Sequence, residues 1–176
     1  ALPISAQLAT YNRLAASIMF LAQGLPFMQA GQEFMRTKNG DGNSYKSGDA
    51  VNSLKWATRA TNAKMVTYFK NLIAIKKAHP AFRMDTAAAI KANLKFKTQS
   101  KSVISYSLNG AAVGDSWKTI FVVHNQNKSA VTVTLPAKGT WKIMASGLTA
   151  GQKAIKTLKN VTKASVPAQS TMILVK

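Results

Sequence analysis

With 176 residues, 47% of them hydrophobic, the chain can bury a core as one ordinary domain or two small ones, so disorder is excluded as its default state. Cysteine is absent, which excludes disulfides, thiolate catalysis and cysteine metal sites but leaves the compartment open, since exported proteins need not carry disulfides. Twenty-four Lys and Arg against five Asp and Glu give a formal charge of +19, which predicts association with polyanions at low salt.

The charge is uneven. Residues 1–85 hold 11 basic and 4 acidic groups (+7), whereas residues 86–176 hold 13 and 1 (+12). The lysines stand singly among Thr, Ser and Ala rather than in dense runs, the pattern of a solvated basic surface more than of a nucleic-acid tail. Leu14–Ala30 is the strongest apolar run, but Gln23, Gly24 and Pro26 interrupt it and it falls short of the roughly 20 residues of a membrane span. The first residue is Ala and a helical pattern begins almost at once, so the chain reads as cut from something longer, with any export signal upstream.

In chain order, Leu8, Tyr11, Leu14, Ile18 and Leu21 recur at three- and four-residue steps, predicting a helix over 5–21 with that apolar face and Gly24 as its stop. Leu25–Ala30, between Gly24 and Gly31, suits a short buried strand with Pro26 near its start. Residues 36–61 have no periodicity and are expected to form a functional loop. Asn62 is placed to cap a second helix with Met65, Tyr68, Phe69, Leu72, Ile73 and Ile75 inward, ending at Lys76 and Lys77 before His79-Pro80. Beyond Asp85 the period shifts toward two. Strands are expected at Leu94–Phe96, Val103–Tyr106, Ile120–His124, Val131–Val133, Trp141–Ile143 and Met172–Val175, together an antiparallel sandwich. The boundary between the two regions is expected within 81–90.

Gly24-Leu-Pro26-Phe-Met-Gln-Ala-Gly31-Gln-Glu33 resembles the signature at the eighth barrel strand of the α-amylase family. The stretch onward to Lys38, then Gly40–Asp49 and Asn52–Trp56, is similar to the following loop in type I pullulanases, and Ile75–Arg83 to the end of their eighth barrel helix. Val122–Asn127, Leu135-Pro136, Gly139–Trp141 and Val166–Ser170 resemble their C-terminal β-domain. The resemblance implies an α/β plus all-β chain: residues 1–85 the last βα unit or units of a (β/α)8 barrel, and residues 86–176 an antiparallel C-terminal β-sandwich. Standing without their barrel neighbours, residues 1–80 are expected to be less stable alone than the sandwich.

Retaining glycosidases need two carboxyl groups about 5–5.5 Å apart. The family's catalytic motifs lie on earlier barrel strands and are not found here, where one Glu and four Asp are the only acids. No catalytic residue is assigned, and the parent's hydrolysis of α-1,6-glucosidic bonds is not expected of this piece alone. The resemblance implies a loop-holding role for Glu33 within the Gly24, Pro26, Gly31, Glu33 motif, and α-glucan contact for Asp49. Asn43 and Tyr45 are further substrate-binding candidates, balanced against a simple turn role. Arg36, also grouped with the substrate-binding candidates, has two readings, as partner of a loop carboxylate or as a solvated surface group. Ser53 and Lys55 depart from the family's pattern at that loop. Trp56 is read as core at the end of the loop, with stacking on sugar the alternative, and Trp117 and Trp141 as core of the β-domain, with glucan binding by an exposed ring the alternative.

His79 and His124 lack metal spacing with any carboxylate, so neither metal nor cofactor is expected in this chain, calcium elsewhere in the parent remaining open. The partners implied are α-glucan (pullulan, branched dextrins) and the rest of the catalytic barrel, with neither nucleic acid nor a membrane span. An extracellular or cell-surface place is expected, a cytoplasmic one being the alternative. The rival functional reading is a non-catalytic basic module that binds anionic cell-wall polymers or glucan.

Overall fold

The computed structural model describes residues 6–176 and, of Gln99, the backbone only. The expected helix start at Ser5 lies outside the described residues. Helix α1 spans Ala6–Leu21 and helix α4 spans Ala63–Ala78, with two one-turn helices between them, α2 at Asp49–Asn52 and α3 at Thr58–Thr61. Helix α5, Ala87–Asn93, is started by Thr86, whose hydroxyl accepts from Ala89 N at 3.1 Å. Seven strands follow: β1 Leu94–Gln99, β2 Val103–Asn109, β3 Thr119–Asn125, β4 Val131–Ser146, β5 Thr149–Ala150, β6 Lys156–Val166 and β7 Ser170–Val175.

All seven belong to one antiparallel sheet in the order β1-β2-β3-β7-β4-β5, with β6 on the far side of β4. The strands are antiparallel as expected, and they form one continuous sheet that folds over on itself. The cause is the length of β4. It pairs with β7 only over Lys142–Ala145, while its run from Val131 to Ile143 pairs with β6, so the β4–β6 ribbon peels away from the centre of the sheet. Register shifts around Gly139 let Pro136 sit inside β4 where a regular central strand would reject it. The ribbon's Val133, Leu135, Ala164 and Val166 pack with Phe121, Val123, Met172, Leu174 and Trp141 in a second core.

The first core lies between the sheet and the helices. Ile120, Val122, Ile173 and Val175 alternate with the residues of the second core along β3 and β7, and meet Ala16, Phe20, Leu21, Tyr68, Phe69, Leu72 and Ile75 from α1 and α4. Both faces of these central strands are therefore dry, which explains their unbroken apolar runs. The helices share this core with the sheet. Tyr106 donates to Leu21 O at 3.0 Å and Asn71 to Ala150 O at 2.7 Å across the junction.

The inward face of α1 is rotated from the expected one. Ala16, Ser17 and Phe20 are buried with Leu14 and Leu21, while Leu8, Tyr11 and Ile18 are 53%, 38% and 44% exposed. Ser17 sits inside because its hydroxyl bonds the buried Tyr68 hydroxyl at 2.8 Å. In α4 the expected face is inward except Ile73, which is 38% exposed. Asn62 precedes the helix but does not cap it with its side chain; its amide donates to Phe34 O and Thr58 O instead. Leu25–Ala30 forms no strand. A strand needs a hydrogen-bonded neighbour, and the described residues offer none here, so Leu25 and Phe27 are left 100% and 93% exposed.

Candidate functional site

The loop between α1 and α4 is held at both ends. Gly31 turns the chain at φ +93°, and a Cβ there would lie 2.8 Å from Arg36 Cβ and 3.2 Å from a Leu54 methyl, so no side chain fits. Its N–H donates to Glu33 Oε2 at 3.1 Å, so the Glu33 carboxylate closes the turn that follows the apolar stretch. Phe34 is buried behind it. From α1, Asn12 donates to Gln32 O at 2.9 Å, and Gln32 donates back to Asn12 Oδ1 at 3.1 Å.

Arg36 crosses the loop, donating to Ala30 O at 3.3 Å and to Asn52 O, while its Nε is buried without a partner. Of its two expected roles, the carboxylate partner is not formed: among the described residues, the one acidic–basic pair in contact is His79 with Asp115. Asn52 is the hub of the middle of the loop. Its amide nitrogen donates to Ser44 O and Ser47 O, and its amide oxygen accepts from Lys38 Nζ. The Asp41 carboxylate accepts from Ser47 Oγ and from Asn43 N at 2.9 Å, and these bonds, that from Ser47 first, hold its pKa below the ordinary carboxylate value.

On this frame several polar and aromatic groups face water. Asn43 is exposed before the turn Ser44–Lys46, and Tyr45 within that turn is 74% exposed, with Lys46 Nζ 5.4 Å from its ring centroid. Asp49 is exposed in the first turn of α2. Trp56 is 64% exposed and rests on Phe34, ring centroids 5.6 Å apart, which corrects its reading as a core residue. Gly24 and Pro26 bracket the start of the exposed apolar stretch instead of a strand. A pyranose can stack on rings presented in this way while short carboxylate and amide groups take its hydroxyls.

No general acid and nucleophile are brought together. Glu33 and Asp41 are engaged within the loop and Asp115 is buried against His79, while Asp49 and Asp85 are exposed on separate segments. Among the described residues, no cluster of three His, Asp or Glu could hold a metal ion. His124 is buried beside Thr171 at 2.8 Å, and burial pushes its pKa down to about 4, so near neutral pH it is an uncharged core group.

A model of the pullulanase all-beta domain matches residues 90–149. Over 125 residues, 71% of this chain and 17% of the relative, the sequence is 46% identical to a pullulanase of Bacillus subtilis (strain 168). The chain is homologous to the pullulanases. The solved pullulanase from Bacillus acidopullulyticus superposes on 98% of it with a TM-score of 0.92 at 39% identity, the match taking in 21% of that protein. The type I pullulanase of Bacillus subtilis str. 168, solved with maltose, covers 97% of it with a TM-score of 0.90 at 36% identity, using 24% of its own length. The chain thus spans about a fifth of the length of these relatives. The two structural matches take in the helices and the loop as well as the sheet.

Proposed function

We propose that the chain is the C-terminal portion of a starch-debranching glycoside hydrolase that cleaves α-1,6-glucosidic bonds in pullulan and branched dextrins, and that it supplies a glucan-contacting loop but no catalytic carboxylate. The observation that carries this reading is the match of 97% of the chain, loop included, to a pullulanase solved with maltose. In the proposed parent, residues 1–85 are the last βα unit or units of the catalytic barrel and residues 86–176 its supporting β-domain. The exposed apolar side chains of Leu25 and Phe27, on an extended stretch without a hydrogen-bonded neighbour, support that division: they are what a barrel strand presents before flanking strands cover it. Asp49, Tyr45 and Asn43 contact the sugar, while Arg36, Glu33 and Gly31 hold the loop in shape. An extracellular or cell-surface location accompanies this proposal.

The test joins the chain to the barrel segment that precedes it in its source and compares D49A with the parent on pullulan. Removing one charge-assisted sugar contact lowers kcat/KM by about tenfold or more, from roughly 1.5–3 kcal/mol per such bond. An unchanged kcat/KM removes Asp49 from the glucan site.

A further inference from the structure

Residues 86–176 contain 13 lysines and one acid, Asp115. Asp115 is fully buried and bonded to His79, so the surface made by these residues shows no aspartate or glutamate at all. The outer face of the β4–β6 ribbon is built of ammonium and hydroxyl groups. Exposed Thr132 stands opposite exposed Ser165, Thr134 opposite Lys163, and Lys142 opposite Thr157, while the alternate pair Val133 and Ala164 points into the core. Beside this face runs a groove of about 510 Å³, with Lys97, Thr98 and Ser100 from the β1 side and Thr132 and Thr134 from β4 as its polar lining, and Val103, Val131, Val133, Leu135 and Pro136 as its apolar lining.

We infer that this groove and the adjoining ribbon face form a docking surface for an anionic polymer with a phosphodiester backbone and no bases, of the poly(glycerol phosphate) type found in cell walls. Charge complementarity selects the class: lysine ammoniums replace the polymer's counter-ions, and Thr and Ser hydroxyls donate to phosphate oxygens. The absence of stacking groups selects within it. Trp141 is fully buried, and Phe96 stands opposite Tyr106 on the face turned toward the helices, so this surface has no aromatic platform for bases or for a pyranose ring. Lysines on β6 also keep an edge strand from pairing with other chains, a role that requires no ligand.

The experiment titrates the whole chain with fluorescent poly(glycerol phosphate), with poly(dT) and with polyglutamate, across a salt series. The triple variant K97Q/K159Q/K163Q, which removes one lysine of the groove and the exposed Lys159 and Lys163 of β6, binds poly(glycerol phosphate) about tenfold or more weakly and flattens the slope of log K against log salt by about 2, three contacts at roughly 0.7 each. The control variant K64Q/K70Q/K77Q, on the exposed face of α4, changes affinity less than about threefold. All six lysines are exposed, and unchanged thermal melts verify that neither variant is misfolded. Equal losses in the two variants, tighter binding of poly(dT) or polyglutamate, or no binding by the parent chain each overturn the inference. None of these outcomes bears on pullulan hydrolysis, so the debranching reading stands or falls separately.

Discussion

Asp115 locks the end of α4 to the sheet, and its removal should be among the most damaging single changes in the chain. Its Oδ1 lies 2.7 Å from His79 Nδ1 and accepts from Trp117 N at 2.8 Å, while Oδ2 accepts from Ala81 N at 3.1 Å. His79 in turn stacks on Trp117, ring centroids 3.5 Å apart. Asp115→Ala leaves up to three buried groups without their acceptor, each worth about 1–3 kcal/mol, and since such losses overlap the expected total is about 3–5 kcal/mol. For a chain of this size that lowers Tm by roughly 6–20 °C. The assay is urea unfolding followed by tryptophan fluorescence and circular dichroism, on Asp115→Ala, His79→Phe and the double variant. His79→Phe keeps a ring against Trp117 but removes the imidazole nitrogens, so the double variant should be less destabilised than the sum of the singles by about 1 kcal/mol or more. A loss below about 1 kcal/mol in Asp115→Ala, or strict additivity, refutes the clamp.

Further tests address the core and the loop. His124 has its folded pKa lowered to about 4 from 6.5, so the unfolded chain binds a proton between those values that the folded chain does not. Its contribution is complete above about pH 6.5 and is lost as pH falls toward 4, about 3 kcal/mol in all; His124→Gln should remove that part of the pH dependence of unfolding, and an unchanged profile would count against a buried neutral histidine. Gly31→Ala forces a side chain into a left-handed backbone and against Arg36, at a cost of about 2–3 kcal/mol, read as a lower Tm with faster proteolysis of residues 36–61. Asn52→Leu removes the bonds to Ser44, Ser47 and Lys38, and should speed proteolysis of that loop while moving Tm by less than about 6 °C; protection equal to the parent's would refute Asn52 as its hub.

The helices were legible because α1 and α4 carry three- and four-residue apolar spacing, yet the inward face of α1 was misread. Periodicity could not register Ser17, whose polar group is satisfied by Tyr68, or distinguish Ile18 from Phe20 as the residue that meets the sheet. Lys76 was read as a helix-end charge; it is buried and donates to Ala22 O at 2.7 Å and Phe82 O at 3.1 Å, contacts distant enough in sequence to leave no local pattern. β6 went unseen because Lys, Thr and Asn fill its outer positions and its inward residues Leu158, Val161 and Ala164 are three apart, breaking the two-residue period. Helix α5 has a local signal in Thr86 followed by an alanine run, but it is only seven residues long and abuts the two-residue spacing of β1, which hides it. Leu25–Ala30 has the composition of a buried strand but pairs with no strand among the described residues, and composition does not register whether a pairing neighbour is there. In the loop, exposed Asp49, Tyr45 and Asn43 were named from resemblance, whereas the hub role of Asn52 depends on carbonyls five and eight residues away that composition cannot reveal.

The most direct measurement of the central claim is reducing-sugar release from pullulan by the purified chain, alone and joined to the preceding barrel segment from its source. The account predicts no release by the chain alone and release by the joined protein. Release by the chain alone would contradict it, because an acid and a nucleophile would then have to lie among these 176 residues.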